Sequence, residues 1–417
     1  MLKRFLKFFR KRPGRALDSD LVSVVDIGTE VVKVLITKRS GREMAVLGSG
    51  QCRQTLKDMA TGTVLDIEGV AENCLEAIKE AEYEAGVAPG RVIIGLAGEL
   101  VRSTVSTIEY VRFSPDKEIT TEELQSIVER VQWEAFEEIR AQVAESGMEE
   151  LTDIKLIHSA ITGVRIDDME VTNPVSFTGT RMDISVFNVF APLMQYRSVE
   201  TVARLLDRRI LMVACEPYAV SKCLGFNDGS DVSALFIDIG GGTTDVALVT
   251  RGSVRSTAMF GIGGRAFTKA IVRALDIPYR EAEELKTGKR PLPSAATKAI
   301  KEATGSWLEG LILSLAPMAE KHSLPSKVFL CGGGSLLPEI KQALETPEWS
   351  KELDITGRIR ITHLYPRDVA NVVDYTKKLK SPQDVTPMAL ANLALELTIR
   401  ETPLSKMLRK ASRLVEK

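Results

Sequence analysis

Apolar residues along this chain gather into short unbroken runs closed by glycine. The most pronounced is Ser233–Val249, SALFIDIGGGTTDVALV. Two apolar runs flank Asp238, then Gly240, Gly241 and Gly242, then Thr243, Thr244 and Asp245. Runs of this length bounded by turn residues predict two buried strands joined by a tight turn. The pattern also opens the body of the chain, where Leu21–Gly28 (LVSVVDIG) predicts a buried strand carrying Asp26 near its end. Val31–Lys38 and Met44–Arg53 predict two further strands. The period then changes: Ile67, Val70, Leu75, Ile78 and Tyr83 predict a helix over Asp66–Ala85, stopped by Gly86 as a C′ glycine. Arg91–Ala97 returns to a buried strand.

Between Val101 and Pro192 the texture differs. Glu118–Val143 predicts a long acidic helix capped by Thr120 or Thr121, with Glu123 in its first turns. Lys155–Thr162, Val164–Ile166 and Met182–Phe190 read as short strands, giving a small α+β insert with no glycine loop of its own. Ser198–Leu206 predicts a helix, and Glu216-Pro217 opens another from Tyr218. Phe260–Leu275 reads as a glycine turn (Gly263, Gly264) entering a helix, followed by REAEELK and a proline-rich break at Arg290–Pro293. A helix is expected over Lys301–Ala316, a strand over Lys327–Leu330, and helices over Leu336–Leu344 and Thr386–Leu397.

Both termini are amphipathic. At helical spacing Met1, Leu2, Phe5, Leu6, Phe8 and Phe9 fall within roughly 160°, opposite Lys3, Arg4, Lys7, Arg10 and Lys11. Such a helix suits an anionic membrane surface, or a partner protein. In the tail, Leu404, Met407, Leu408, Ala411, Leu414 and Val415 share an arc of about 120° with every charge outside it. That helix fits either a membrane surface or the body of the protein.

Composition narrows the class. With 44% hydrophobic and 27% charged residues in 417, the chain reads as a soluble globular protein of two or three domains. A formal net charge of −1 implies no bulk attraction to nucleic acid, although the first fifteen residues carry seven basic side chains and no acid. Five cysteines without a CxxC pair and three scattered histidines give neither a zinc site nor a disulfide framework, as expected in a reducing cytosol. No run approaches the roughly 18 apolar residues of a membrane span, and the N-terminus lacks the apolar core of a secretory signal.

The glycine turns carry the chemistry. Successive backbone N–H groups at Gly240–Gly242 form an anion nest, and the hydroxyls of Thr243 and Thr244 can donate to phosphate oxygens. Asp238 or Asp245 can hold a hydrated divalent cation beside such a phosphate. An ordinary glycine-rich hairpin has the same local pattern. What separates the two is the echo: Asp26, Gly28 and Thr29 repeat Asp-Ile-Gly followed by threonine roughly 210 residues earlier, which suggests two similar halves facing one phosphate chain. Glu216 is either a carboxylate favourable to a helix N-terminus or one poised for water or metal. Gly332, Gly333, Gly334 and Ser335 follow a strand and leave room for a flat base or ribose, while Lys286, Lys289 and Arg290 either meet nucleotide or end a solvated helix.

In this order the motifs resemble the actin-like ATPase superfamily, and GTVLDIEGV, RVIIGLAG, the insert ahead of Glu-Pro, IDIGGGTTDVALV, GIGG and AEELK resemble the FtsA family and its relative PilM. The resemblance spans about residues 20–398. It implies an α/β, two-lobed fold of duplicated RNase H-like domains with an SHS2-like insert. Its expected parts are residues 21–98, 188–230 and 384–400 (first lobe), 99–187 (insert), 231–262 and 326–383 (second lobe) and 263–325 (subdomain 2B), with 1–20 and 401–417 as flanking segments. It implies ATP and Mg²⁺ in the cleft: Asp26 and Asp238 on the metal, Glu216 orienting water, Gly28, Thr29, Gly240–Thr244, Gly263 and Gly264 around the phosphates. Glu281 and Lys286 would contact nucleotide, with Gly332–Ser335 under adenosine. A slow ATPase is implied, with ATP acting mainly as a switch for polymerisation. An FtsA-type protein would form filaments and anchor the FtsZ ring on the inner face of the membrane. A PilM-type scaffold would instead recruit a pilus-assembly protein, and a small-molecule kinase is the third relative. One departure stands out. FtsA commonly has Ser-Lys after Asp-Ile-Gly-Thr; this chain has Glu30 and Val31, with Lys33 further on, a pattern closer to PilM. An acid at Glu30 would repel phosphate unless it points away.

Overall fold

The computed structural model describes residues 15–16, 18–98, 100–145, 153–226 and 230–398. The amphipathic segments containing Leu2, Phe5, Leu6, Phe8, Phe9, Leu404, Met407, Leu408 and Leu414 lie outside the described residues.

Three antiparallel strands, β1 (Leu21–Ile27), β2 (Val31–Ser40) and β3 (Glu43–Arg53), begin the body. β1 is buried along its whole length, which is why its sequence is an unbroken apolar run rather than an alternating one. Helix α1 (Ile67–Ala85) is capped at both ends as its sequence predicts: the Asp66 carboxylate accepts from Gly69 N–H, and Gly86 closes the helix at φ +68°. The helix lies flush on β3 because β3 presents Gly48 and Gly50. A Cβ on either would come within 2.1 Å of a carbonyl oxygen of α1, Ala81 or Ala77. β4 (Arg91–Leu96) follows, parallel to β1.

The insert comprises β5 (Arg102–Val111), α2 (Thr121–Glu145), β6 (Ile154–Ile166), β7 (Met169–Glu170) and β8 (Arg181–Pro192). Its sheet has the order β7-β6-β8-β5, with all pairs antiparallel. One face packs Ile108, Ile184 and Val186 against Leu124, Val128 and Val131 of α2. Two segments read separately in the sequence, Lys155–Thr162 and Val164–Ile166, are one strand with a register shift at Gly163. β5 and the turn before it reach the other half of the molecule: the hydroxyls of Ser103 and Thr257 lie 2.7 Å apart, and Met259 Sδ accepts from Gly98 N–H.

After the insert come α3 (Leu193–Leu205), β9 (Arg209–Cys215) and α4 (Glu216–Lys222). The second half repeats the first. β10 (Ala234–Ile239), β11 (Thr244–Thr250) and β12 (Ser253–Phe260) form an antiparallel meander. Helices α5 (Gly264–Leu275), α6 (Tyr279–Lys286) and α7 (Ser294–Lys321) follow, then β13 (Lys327–Cys331), a 3₁₀ turn (Gly333–Leu336) and α8 (Pro338–Glu345). β14 (Arg360–His363), β15 (Val372–Asp374) and α9 (Val385–Thr398) complete the described chain. Helix α7 outruns its expected ends, starting after Pro293 and continuing through Pro317 to Lys321.

The first sheet has the order β9-β4-β1-β2-β3-β15, the second β12-β11-β10-β13-β14. Both place the first strand of a meander beside a parallel fourth strand, with a fifth beyond it. Each sheet has its own core, one centred on Val24, Ile36, Ile78 and Ile93, the other on Ile237, Trp307 and Leu330.

Candidate functional site

The two meanders face each other. The β1–β2 turn carries Gly28, Thr29 and Glu30; the β10–β11 turn carries Gly240, Gly241, Gly242 and Thr243. They touch: a Cβ on Gly241 would lie 2.6 Å from the Glu30 Cβ, and one on Gly242 would lie 2.6 Å from Thr29 Oγ1. Only residues without side chains allow this approach. Between the sheets lies a cavity of about 360 Å³. Asp26, Gly28, Thr29, Glu216, Asp238, Gly240, Gly241, Thr243, Gly264, Lys286 and Gly332–Gly334 all line it.

Its floor is acidic. Asp26, Asp238, Asp245 and Glu216 are all buried. In register, Asp26 stands opposite Lys33, and Asp238 opposite Asp245. Lys33 Nζ lies 3.6 Å from Asp26 Oδ2 and also donates to the Gln383 carbonyl. Burial raises the Asp26 carboxyl above its ordinary value, against the pull of Lys33 and with the push of Asp238. Burial likewise holds Asp238 up, opposed by the Thr386 hydroxyl that donates to its Oδ2 and by Lys33. Glu216 and Asp245 are pushed well up, by burial first and then by the neighbouring carboxylates. Asp245 Oδ1 is buried without a hydrogen-bond partner. Carboxylates crowded in this way are stabilised by a cation. Among the described residues no group of three or more His, Cys, Asp or Glu side chains is arranged to hold a metal alone.

Beside Asp238, β13 runs into Gly332, whose φ is +81°. A Cβ there would fall 2.2 Å from Asp238 Oδ1 and 2.4 Å from the Ile239 carbonyl oxygen. The bare turn is flanked by Leu336, Leu337, Pro338 and Gln383, an apolar shelf beside exposed backbone.

Some residues singled out from the sequence serve elsewhere. Thr244 faces away from the cavity; its hydroxyl donates to the Ile262 carbonyl and accepts from Trp307 Nε1. The Ser335 hydroxyl donates to the Gly332 carbonyl and so stiffens the turn rather than lining it. Gly242 packs on Thr29, and Gly263 fits under the Gly240 carbonyl oxygen, where a Cβ would come within 2.7 Å. Glu281 points to solvent and pairs with Arg290. Its place at the cavity is taken by Glu283. Burial pushes the Glu283 carboxyl up, but Lys286 and the Thr268 hydroxyl hold it below its usual value. Lys286 donates to Glu283 Oε2, Thr268 Oγ1 and the Gly264 carbonyl at 2.7–3.0 Å.

Other lining residues were not singled out from the sequence: Arg53, Arg265, Gln383 and Thr386. Arg265 follows Gly263-Gly264 at the start of α5, and that position after a glycine turn was its only signal. It answers the question raised by Glu30. Arg265 Nε donates to Glu30 Oε2 at 2.8 Å, Arg53 lies 3.5 Å from Oε1, and the Tyr279 hydroxyl reaches Oε2 at 3.4 Å. The acid is paired, not facing the cavity with a free charge.

The family model described as Cell division protein FtsA matches residues 235–383. Cell division protein FtsA of Pseudomonas aeruginosa is 27% identical over 265 residues, 63% of this chain and 59% of that protein. FtsA of Escherichia coli is 27% identical over 279 residues, 65% and 61% respectively. FtsA of Bacillus subtilis is 23% identical over 269 residues, 64% and 58%. The matches thus span about three fifths of these relatives' length. Among solved structures, the PilM-PilN type IV pilus biogenesis complex superposes with a TM-score of 0.64 at 17% identity, covering 90% of this chain and 98% of that one. Over somewhat under two thirds of its length the chain is thus similar to cell division protein FtsA, and its two like-ordered sheets around one glycine-lined cavity have the actin-like fold.

Proposed function

We propose that the chain binds ATP with Mg²⁺ in this cavity and acts as an FtsA-type protein that polymerises and anchors the FtsZ ring to the inner face of the cell membrane. The observation that carries the reading is the meeting of Asp26 and Asp238. Each lies near the end of the first strand of its sheet, and both line one cavity with both glycine turns. The volume lies within the range of about 300–1,000 Å³ usual for small-molecule sites. Thr29, Thr243 and the backbone of Gly28, Gly240 and Gly241 would cradle the phosphates. Gly332–Gly334 and the Leu336–Pro338 shelf would hold the adenosine.

The unpartnered Asp245 oxygen and the crowding of the four carboxylates fit a divalent cation. Asp26 and Asp238 would hold it through its water shell, because Mg²⁺ usually keeps several waters and takes few carboxylates. A bound Mg²⁺ would supply charge neutralisation for the polyphosphate. Glu216 would orient a water; burial and the neighbouring carboxylates raise its carboxyl well above the ordinary value. Nucleotide would bridge the two turns, favouring the closed form that self-associates. No described helix is long and apolar enough to cross a membrane. Attachment is assigned to the terminal amphipathic segments, each weak alone and strengthened by avidity in a filament.

The test is assembly and partner choice: full-length protein with Mg²⁺ and ATP on an anionic lipid monolayer, viewed by electron microscopy, then offered an FtsZ C-terminal peptide. Filaments and peptide binding are expected. Monomers in every nucleotide state, with no peptide bound, would overturn the reading. A PilM-like scaffold is the second reading. β5 lies at an edge of the insert sheet, and its outer side beyond the Ser103–Thr257 contact could offer main-chain pairing to a peptide. Capture of a cytoplasmic pilus-protein peptide by residues 101–192 would favour it.

A further inference from the structure

We propose that Arg265 is a positioning residue that makes Glu30 compatible with a polyphosphate, by holding the acid off the terminal phosphate and locking the two glycine turns together. The inference rests on the nucleotide reading of the cavity. Glu30 sits at the tip of the β1–β2 turn and lines the cavity, where an unpaired carboxylate would repel phosphate. Arg265 comes from the opposite half of the molecule. Its N–H donates to the Gly241 carbonyl at 2.7 Å, which ties it to the second turn. Its guanidinium crosses over: Nε donates to Glu30 Oε2 at 2.8 Å, Nη1 to the Met59 carbonyl at 2.8 Å, and Nη2 to the Thr55 carbonyl at 3.5 Å. The side chain is only 9% exposed, so the pair is poorly screened.

Among the described residues no other cation matches this geometry. Arg53, the other cation near Glu30, lies 3.5 Å from Oε1 with a side chain 59% exposed. Tyr279 contributes only a hydroxyl at 3.4 Å. One arginine therefore fixes the rotamer of Glu30, cancels its charge and clasps the loop at residues 55–59 to the second turn. Glu30 and Arg265 are matched to each other. An acid in that turn is tolerated because a fixed guanidinium answers it.

The test is equilibrium binding of Mg²⁺-ATP and of adenosine to full-length wild type, Arg265→Met, Glu30→Gln and the double variant, with circular dichroism to confirm folding. Releasing the Glu30 charge should weaken ATP binding by about tenfold or more, because unpaired like charge costs at least about 1.4 kcal/mol. Adenosine binding should change by less than about threefold, well under that cost. The double variant should recover ATP affinity, and Glu30→Gln alone should bind ATP at least as well as wild type. A double variant as weak as Arg265→Met would show that Arg265 acts other than through the Glu30 charge and would overturn the inference. So would an Arg265→Met variant with wild-type affinity. If Arg265→Met does not fold, Glu30→Gln decides: a loss of ATP binding overturns the proposal. Wild type that binds neither ligand would overturn the nucleotide reading itself.

Discussion

Lys33 stands opposite Asp26 in the β1–β2 register, its Nζ 3.6 Å from Oδ2, while the equivalent place in the β10–β11 hairpin holds Asp245 opposite Asp238. One hairpin therefore pairs unlike charges and the other pairs like charges. This explains why the cavity floor is acidic and why its acidity is concentrated on the second half.

Stability without ligand should fall as pH rises. The carboxyls of Asp26, Glu216, Asp238 and Asp245 are all raised in the fold, so the folded state holds more protons than the unfolded one above the ordinary carboxylate range. Their contribution is most favourable at low pH and is lost through the raised pKa values. Glu216→Gln and Asp245→Asn should therefore raise the melting temperature relative to wild type, and the gain should grow with pH. Equal gains at pH 5 and pH 8 would contradict this. Mg²⁺-ATP should stabilise wild type, and Asp238→Ala should abolish ATP binding in titration while retaining the fold.

Gly332→Ala should impair both stability and binding. The left-handed backbone and the overlap with Asp238 and Ile239 make the cost about 1–3 kcal/mol or more. Thermal unfolding reads the first effect and ATP titration the second.

Thr243 and Thr244 are neighbours with separable roles. Thr244→Val leaves Trp307 Nε1 without its acceptor in the core and should cost about 1–3 kcal/mol by denaturant unfolding. Thr243→Val should leave unfolding nearly unchanged and weaken ATP binding. If Thr244→Val affects affinity more than stability, the assignment of the two hydroxyls is reversed.

Deleting residues 1–12 should reduce co-sedimentation with anionic vesicles, and deleting residues 403–417 should do so if both terminal segments bind. Each apolar face presents only a few large side chains, so either loss should be partial at low ionic strength and larger in salt. Unchanged sedimentation of both deletions would remove the membrane assignment.

The strands around Asp26 and Asp238 were legible because buried parallel neighbours demand unbroken apolar runs, and because glycine is required where two turns touch. Asp66 and Gly86 announced α1 through local capping chemistry. β5 went unread: its RSTVSTIEYV carries few large apolar residues, since much of it is half-exposed. α3 begins at Leu193 rather than Ser198, where tertiary packing of Gln195 and Val199 overrides weak local signals. The Glu30–Arg265 pair and the Thr386–Asp238 bond join residues far apart in sequence, and no local period encodes them.

The contact of Ser103 with Thr257 gives the insert a mechanical part to play. It belongs by chain to the first half but is hydrogen-bonded to β12 of the second, where Thr257 N–H also donates to Ser103 Oγ at 3.3 Å. The insert thus bridges the two halves through a polar contact. Wide separation of the halves must break these bonds, whereas a small rocking about them need not, so this contact couples any opening of the cavity to the insert.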